Sequence, residues 1–172
     1  MKFTTFSILA ASATSLCSAL PAELTDFLLV TYNSTATPPG NSTQDIVSAT
    51  SLFDPYYQEP YLLRLIGPGY GSLPRFNLSS GTLSSWASGP HGQGYYLYNS
   101  SSVTAGTEFQ LLPHEQPAGN IALDDAGLLT VGGAKEGWTL CDGKLSETVL
   151  FWKGADASCK STFVHAVQDP PY

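Results

Sequence analysis

Histidine is the side chain best suited to proton transfer near neutral pH, and the chain has three: His91, His114 and His165. A serine or cysteine nucleophile needs such a base within hydrogen-bond reach. Serines are abundant, but no Gly-x-Ser-x-Gly turn singles one out. His91 and His114 fall among turn residues. His165 alternates within a strand-like run and is expected at the surface or rim. Hydrolysis of a glycosidic bond requires two carboxyl groups flanking it. Asp124, Asp125, Asp142 and Glu147 are the candidates, yet each falls in or beside an expected hairpin turn, where carboxylates cap and solvate. The first three also offer oxygen ligands for calcium, but no loop alternates them at ligand spacing. Gly67-Pro68-Gly69-Tyr70-Gly71 reads as a bent loop, because no helix follows it to hold a nucleotide phosphate. These residues assign no catalytic group, no metal and no cofactor.

Cys17, Cys141 and Cys159 are the three cysteines. Cys17 lies in an N-terminal stretch with the layout of a secretion signal: Lys2 is the positive end, Phe6–Leu16 is small and apolar, and Cys17-Ser18-Ala19 is a small-x-small cleavage pattern. Cleavage after Ala19 leaves residues 20–172 as a single domain. In an oxidising compartment the remaining Cys141 and Cys159 are most simply a disulfide. A metal site or a catalytic thiol is the rival reading, and two cysteines without histidine at ligand spacing make a poor zinc site. Four Asn-x-Ser/Thr sequons, at Asn33, Asn41, Asn77 and Asn99, are acceptors for N-linked glycans in a secreted chain.

Aromatics form two groups. Tyr56, Tyr57 and Tyr61 sit among prolines; Tyr95, Tyr96 and Tyr98 sit in one strand-like run. Trp86 and Trp152 are further candidates. An exposed ring beside polar groups can stack on the apolar face of a sugar. Tyr56, Tyr57, Tyr61, Tyr96 and Tyr98 are taken as the candidate glycan contacts, against the alternative that aromatics of this kind pack a core. Trp138 is expected in the core.

The elements that must place these residues are strands. No long window repeats apolar residues at helical spacing, whereas short runs rich in Val, Phe, Tyr and Trp recur between Gly- and Pro-bearing turns. About twelve such runs can be marked. Phe76–Leu83, Ile121–Leu129 and Trp138–Leu145 each read as a hairpin with two inward apolar residues, a polar turn with a glycine at positive φ, and a return strand. Asn77, between inward Phe76 and Leu78, should point outward. Three hairpin repeats in about twelve strands suggest one closed all-β domain of β-trefoil type, with another β-barrel or a β-sandwich as alternatives. The repeats are unevenly spaced, 45 residues from Phe76 to Ile121 but 17 from Ile121 to Trp138.

The full chain has a formal charge of −7. Loss of Lys2 with the signal leaves six basic residues against fourteen acidic ones, or −8. Such a surface repels phosphate backbones and anionic lipid, so neither nucleic acid nor membrane is an expected partner.

The segment Asn120–Val167 runs apolar-x-Leu-Asp-x-x-Gly-Leu-Leu, then Gly137-Trp138-x-x-Cys141, Leu150-x-Trp152, Cys159 and a last apolar strand. This segment, about a third of the mature chain, resembles the small secreted fungal cell-wall proteins of the PhiA type. The resemblance implies a wall-associated or freely secreted glycoprotein with no catalytic residues to carry over, and Cys141 and Cys159 would match the family's late disulfide. Three expectations follow. The first is a secreted, noncatalytic cell-wall or surface protein, with wall polysaccharide or wall glycoproteins as partners. The second is a lectin-like carbohydrate-binding module. The third is a small extracellular hydrolase.

Overall fold

The computed structural model describes residues 24–39, 47–55, 59–71, 73–89 and 92–172. The expected secretion signal, the sequon at Asn41, and Tyr56, Tyr57 and His91 lie outside the described residues.

The protein is all-β. Its strands are β1 (Leu24–Tyr32), β2 (Val47–Phe53), β3 (Tyr61–Ile66), β4 (Phe76–Ser79), β5 (Thr82–Ser88), β6 (Tyr95–Ser100), β7 (Thr107–Glu108), β8 (Gln110–Leu112), β9 (Ile121–Leu123), β10 (Leu129–Val131), β11 (Trp138–Asp142), β12 (Thr148–Trp152), β13 (Lys160–Ser161) and β14 (Phe163–Val167). Period-2 alternation explains the shorter ones. In β4, Phe76 and Leu78 are buried and Asn77 points away from the core; in β5, Leu83 and Ser85 are buried and Trp86 is exposed. In β1, by contrast, Phe27 through Thr31 are all buried. Partners flank this strand at both edges, with β14 and β2 along its second half and β4 along its first, so it lies inside the sheet and not at its rim.

The main sheet follows the order β13-β11-β12-β3-β2-β1-β4-β5-β6-β8, with β14 added on β1 and β7 on β12. Two residue pairs, Tyr61 with Leu111 and Leu62 with Gln110, bring β8 back beside β3. β9 and β10 form a separate two-stranded sheet. This arrangement corrects the expectation of a closed, trefoil-like domain. The sheet path has two ends, and the three hairpins are not equivalent. β4–β5 lies within the main sheet, β11–β12 lies near one end of it, and β9–β10 lies outside it. The third repeat fails at its turn. Leu145, matched to the start of a return strand, sits at φ 55° in a 3-10 turn over Lys144–Ser146 and is 74% exposed. Gly143 has φ −99°, not the positive φ found at Gly81 and Gly127.

The core is aromatic at its centre. Trp138 is edge-on to Phe109 at 5.5 Å and to Trp152 at 5.0 Å between ring centroids. Its indole N–H donates to the Leu129 carbonyl at 2.7 Å, so the small sheet is fastened to the core by the group that most needs a buried partner. Cys141 and Cys159 are bonded at 2.03 Å, and this link ties the end of β11 to the segment just before β13. Gly154 is required beside it, because a Cβ there would lie 2.7 Å from Cys141 Sγ and 2.8 Å from Thr139 Oγ1.

Candidate functional site

The adjacent strands β4, β5 and β6 pair Asn77 with Ser84, Ser84 with Asn99, Trp86 with Leu97, and Ser88 with Tyr95. Because alternate residues share a face, this register puts Asn77, Ser84, Trp86, Ser88, Tyr95, Leu97 and Asn99 together on the side away from the core. The apolar members stay open to solvent: Trp86 is 53% exposed, Tyr95 65% and Leu97 36%. The Trp86 and Tyr95 rings lie nearly parallel, 11° apart with centroids at 5.6 Å. Such a pair is worth about 0.5–1.5 kcal/mol beyond the area it buries, so each ring holds the other in place.

A groove of about 530 Å³ runs beside this stack, and its lining adds Asp26, Arg75, Asn77, Ser51 and Ser88 to the two rings. Its polar side is built by an irregularity in β1. The β1–β4 register shifts between Leu24 and Phe27, and Asp26 adopts φ 57°. Aspartate tolerates that left-handed backbone better than most residues. The bulge leaves the Asp26 N–H without a strand partner, and it donates to Asn77 Oδ1 at 3.0 Å. Arg75 braces the same corner. Its Nη1 donates to the backbone carbonyls of Asp26 at 3.0 Å and Gln168 at 3.1 Å, while its Nε lies 3.8 Å from the Asp26 carboxylate. The groove therefore offers a flat aromatic platform, a fixed cation, a carboxylate and hydroxyls within one concavity. Such a set can stack against an apolar ring face and exchange hydrogen bonds at its rim.

Of the aromatics chosen from sequence, the structure places Tyr98 in the core, fully buried and edge-on to Tyr61 at 4.7 Å. Its expected role in glycan contact is corrected for that reason: the inward parity of β6 gives its ring no face to solvent. Burial, reinforced by the neighbouring Tyr61 and Asp54, pushes the Tyr98 hydroxyl up to about 12. That hydroxyl has no hydrogen-bond partner among the described residues. Tyr61 is half-buried and donates to the Ser88 carbonyl at 3.0 Å. Tyr96 is 46% exposed, but its ring lies over Gly89 and Gly94, where an added Cβ would come within 2.6 Å and 2.7 Å of it. Trp152 is core. On the outward face of β5 and β6 the rings are Trp86 and Tyr95. The signal for them was the alternation itself, since Tyr95 and Leu97 share the face opposite Tyr96 and Tyr98.

Several of the other candidates are engaged in structure. His165 is 2% exposed, a correction to its expected place at the rim, and its Nε2 lies 2.9 Å from the Ser34 carbonyl. Leu128, in the turn just before β10, forms an isolated bridge with His165 of β14. His114 is exposed. Glu147 pairs with Arg64 at 2.6 Å. Asp124 Oδ1 accepts the N–H groups of Ala126 and Leu128, both at 2.9 Å, and so shapes the β9–β10 turn. Asp125 and Asp142 are exposed. Asp156 approaches Cys141 and Cys159 closely enough to suggest a metal cluster. The two sulfurs are bonded to each other, however, so neither is a thiolate ligand. The Asp156 carboxylate accepts from the Ser158 hydroxyl and N–H, bonds that hold it below its ordinary value.

Among the sequons, Asn33 is exposed in the bend after β1. Asn77 lines the groove. Asn99 donates both of its amide hydrogens, to the carbonyls of Leu97 and His114 at 3.2 Å each. No protein-family model, curated protein or solved structure matches the chain.

Proposed function

We propose that this is a secreted, N-glycosylated, noncatalytic protein of the extracellular surface, of the fungal cell-wall kind that its C-terminal segment resembles, and that it holds wall polysaccharide in the groove beside Trp86 and Tyr95. The observation that carries this reading is the stacked, solvent-facing Trp86–Tyr95 pair set against Asp26 and Arg75. A pyranose ring has one face of C–H groups and a rim of hydroxyls. The C–H face gains from leaving water against an aromatic surface. The rim needs donors and acceptors, and Arg75, Asp26 and Ser88 supply both. The stacking of the two rings fixes the platform before binding, which lowers the ordering cost that weakens most surface contacts.

The test is cosedimentation of the native protein with insoluble chitin, β-glucan and mannan. Binding to at least one is expected, and Trp86→Ala should weaken it by on the order of tenfold, the equivalent of about 1.4 kcal/mol. Arg75→Ala is a poor probe, because it also removes the brace between β1 and the C-terminal tail. Retention of full binding by both Trp86→Ala and Tyr95→Ala, or no binding to any of the three polymers by protein freed of its own glycans, would remove the proposal.

A further inference from the structure

We infer that Asn77 carries an N-linked glycan whose first sugars lie over the Trp86–Tyr95 stack, so that the chain's own glycan competes with external polysaccharide for the groove. The inference rests on the reading of this groove as a sugar site.

Position is the first argument. Asn77 opposes Ser84, and Trp86 is the next residue of β5 on that face, so Asn77 and Trp86 are diagonal neighbours across the β4–β5 ladder. Such neighbours stand about 7–8 Å apart, which places the stack directly beside the glycan's root. Asn77 also lines the groove itself, so a glycan rooted there starts inside the concavity.

Orientation is the second argument. Attachment forms a bond from Asn Nδ2 to the anomeric carbon of the first sugar, while one amide proton and the diphosphate of an activated lipid-linked donor depart. The product keeps a single N–H. At Asn77, Oδ1 is held by the Asp26 N–H, and Nδ2 has no hydrogen-bond partner among the described residues. Modification there breaks nothing, and the Oδ1 anchor limits the directions the glycan can take. Asn99 is the contrast on the same face. Both of its amide hydrogens are donated, one of them to His114 fifteen residues away, and a sugar would displace one. Losing a bond of this type costs about 0.5–1.5 kcal/mol. Asn77 is thus the sequon of this face that the fold leaves ready for a glycan, and Asn99 is used as a structural fastening.

The third argument is chemical. The sugars that begin the glycan present the same C–H face as a wall polymer, and tethering raises their effective concentration at the platform far above that of a free ligand. A groove covered nine-tenths of the time would bind external polymer about tenfold more weakly than an open one.

The full chain is secreted from a glycosylating host as wild type, as Ser79→Ala, which removes the Asn77 sequon while keeping the asparagine, and as Ser101→Ala, which does the same for Asn99. Glycopeptide masses should show sugar on Asn77 and a bare Asn99. Collisional quenching of tryptophan fluorescence by acrylamide then reads the platform directly. Trp138 is 0% exposed and Trp152 5%, so the quenchable emission belongs to Trp86. Ser79→Ala should raise both the quenching constant and polymer affinity, and Ser101→Ala should change neither. Enzymatic trimming of the folded wild-type protein gives the same comparison without a substitution. An unmodified Asn77, or equal quenching with and without its glycan, overturns the inference. If Trp86→Ala abolishes polymer binding while removal of the Asn77 glycan leaves it unchanged, the polysaccharide reading stands and this one falls. If no form binds polymer, the polysaccharide reading falls, and quenching alone decides whether the glycan covers the stack.

Discussion

His165 shows how one buried side chain sets a condition on the whole fold. It is enclosed between Tyr32, with ring centroids 6.0 Å apart, and the Ser34 carbonyl. Burial pushes its imidazole below the ordinary histidine value; the Ser34 carbonyl and the Asp124 charge oppose that only in part. The unfolded chain therefore takes up a proton as pH falls through about 6.5, before the folded protein does, so proton uptake favours unfolding. Stability is fully present above that pH and is lost as pH falls toward the lowered folded value, by up to about 1.4 kcal/mol per pH unit within the window. Thermal melts from pH 7.5 to 5 should show a falling Tm that flattens in His165→Gln; parallel profiles would remove this account. The sequence showed that position 165 alternates within a strand. It did not show that Ser34, 131 residues earlier, would cover it. Tyr98 carries the same lesson. Its spacing from Tyr96 was legible, but which parity faced inward depended on partners that no local pattern names.

At the scale of elements, the Cys141–Cys159 bond secures one of the shortest segments of the main sheet. β13 is two exposed residues long and pairs only with Thr139 and Leu140. Without the bond, β13 would be ordered against β11 by two ladder positions and a few flanking bonds, those of the Thr162 N–H to the Trp138 carbonyl and of the Asp142 N–H to the Ser158 hydroxyl. The bond spans a separation of 18 residues, for which the chain-entropy view gives a stabilisation of about 3 kcal/mol. Reduction, or the double change Cys141→Ser and Cys159→Ser, should lower the free energy of denaturant unfolding by about that amount. An unchanged midpoint would mean that the linked segment is ordered by its other contacts. The pair was legible from composition and compartment logic, as were the β4 and β5 strands of the Phe76–Leu83 hairpin, where alternation marks the inward residues. β7 and β13 were not, because two residues cannot display a period of two. The turn of Leu145 was hidden for another reason. A leucine at a repeat position reads as a strand residue, and nothing in its side chain announces the left-handed backbone, φ 55°, that it adopts there.

The whole molecule is sewn shut by its last strand. β14 pairs with β1 over Leu28–Tyr32, so the first and last described strands are neighbours. It also reaches the small sheet: the Ala166 N–H donates to the Gly127 carbonyl at 2.9 Å, and His165 pairs with Leu128. Val164 is wholly buried in the core, and the tail beyond it adds the Tyr172 hydroxyl bond to Ile66 and the Gln168 bond to Arg75. This long-range closure is what the uneven hairpin spacing signalled without revealing. Equal repeats would have let each hairpin dock by a common rule, whereas here the three are held by different partners, and pairings so distant in sequence leave no local trace. Such a topology has high contact order and should fold slowly and as one unit. Deleting residues 163–172 strips one side of β1, opens the core at Val164 and removes the bonds of β14 to the β9–β10 turn, leaving the small sheet held by Trp138 and Gly81. Each lost ladder bond is worth about 1 kcal/mol and the buried valine about 1.5–3 kcal/mol, together comparable to the 5–15 kcal/mol by which a domain is stable at all. The shortened chain should therefore lose its near-ultraviolet circular dichroism and its cooperative melt, while the full chain shows coincident transitions by far-ultraviolet dichroism and tryptophan emission. A shortened chain that still melted cooperatively, with Trp138 and Trp152 shielded from quencher, would mean that the remaining strands form the core without the strand that joins its two ends.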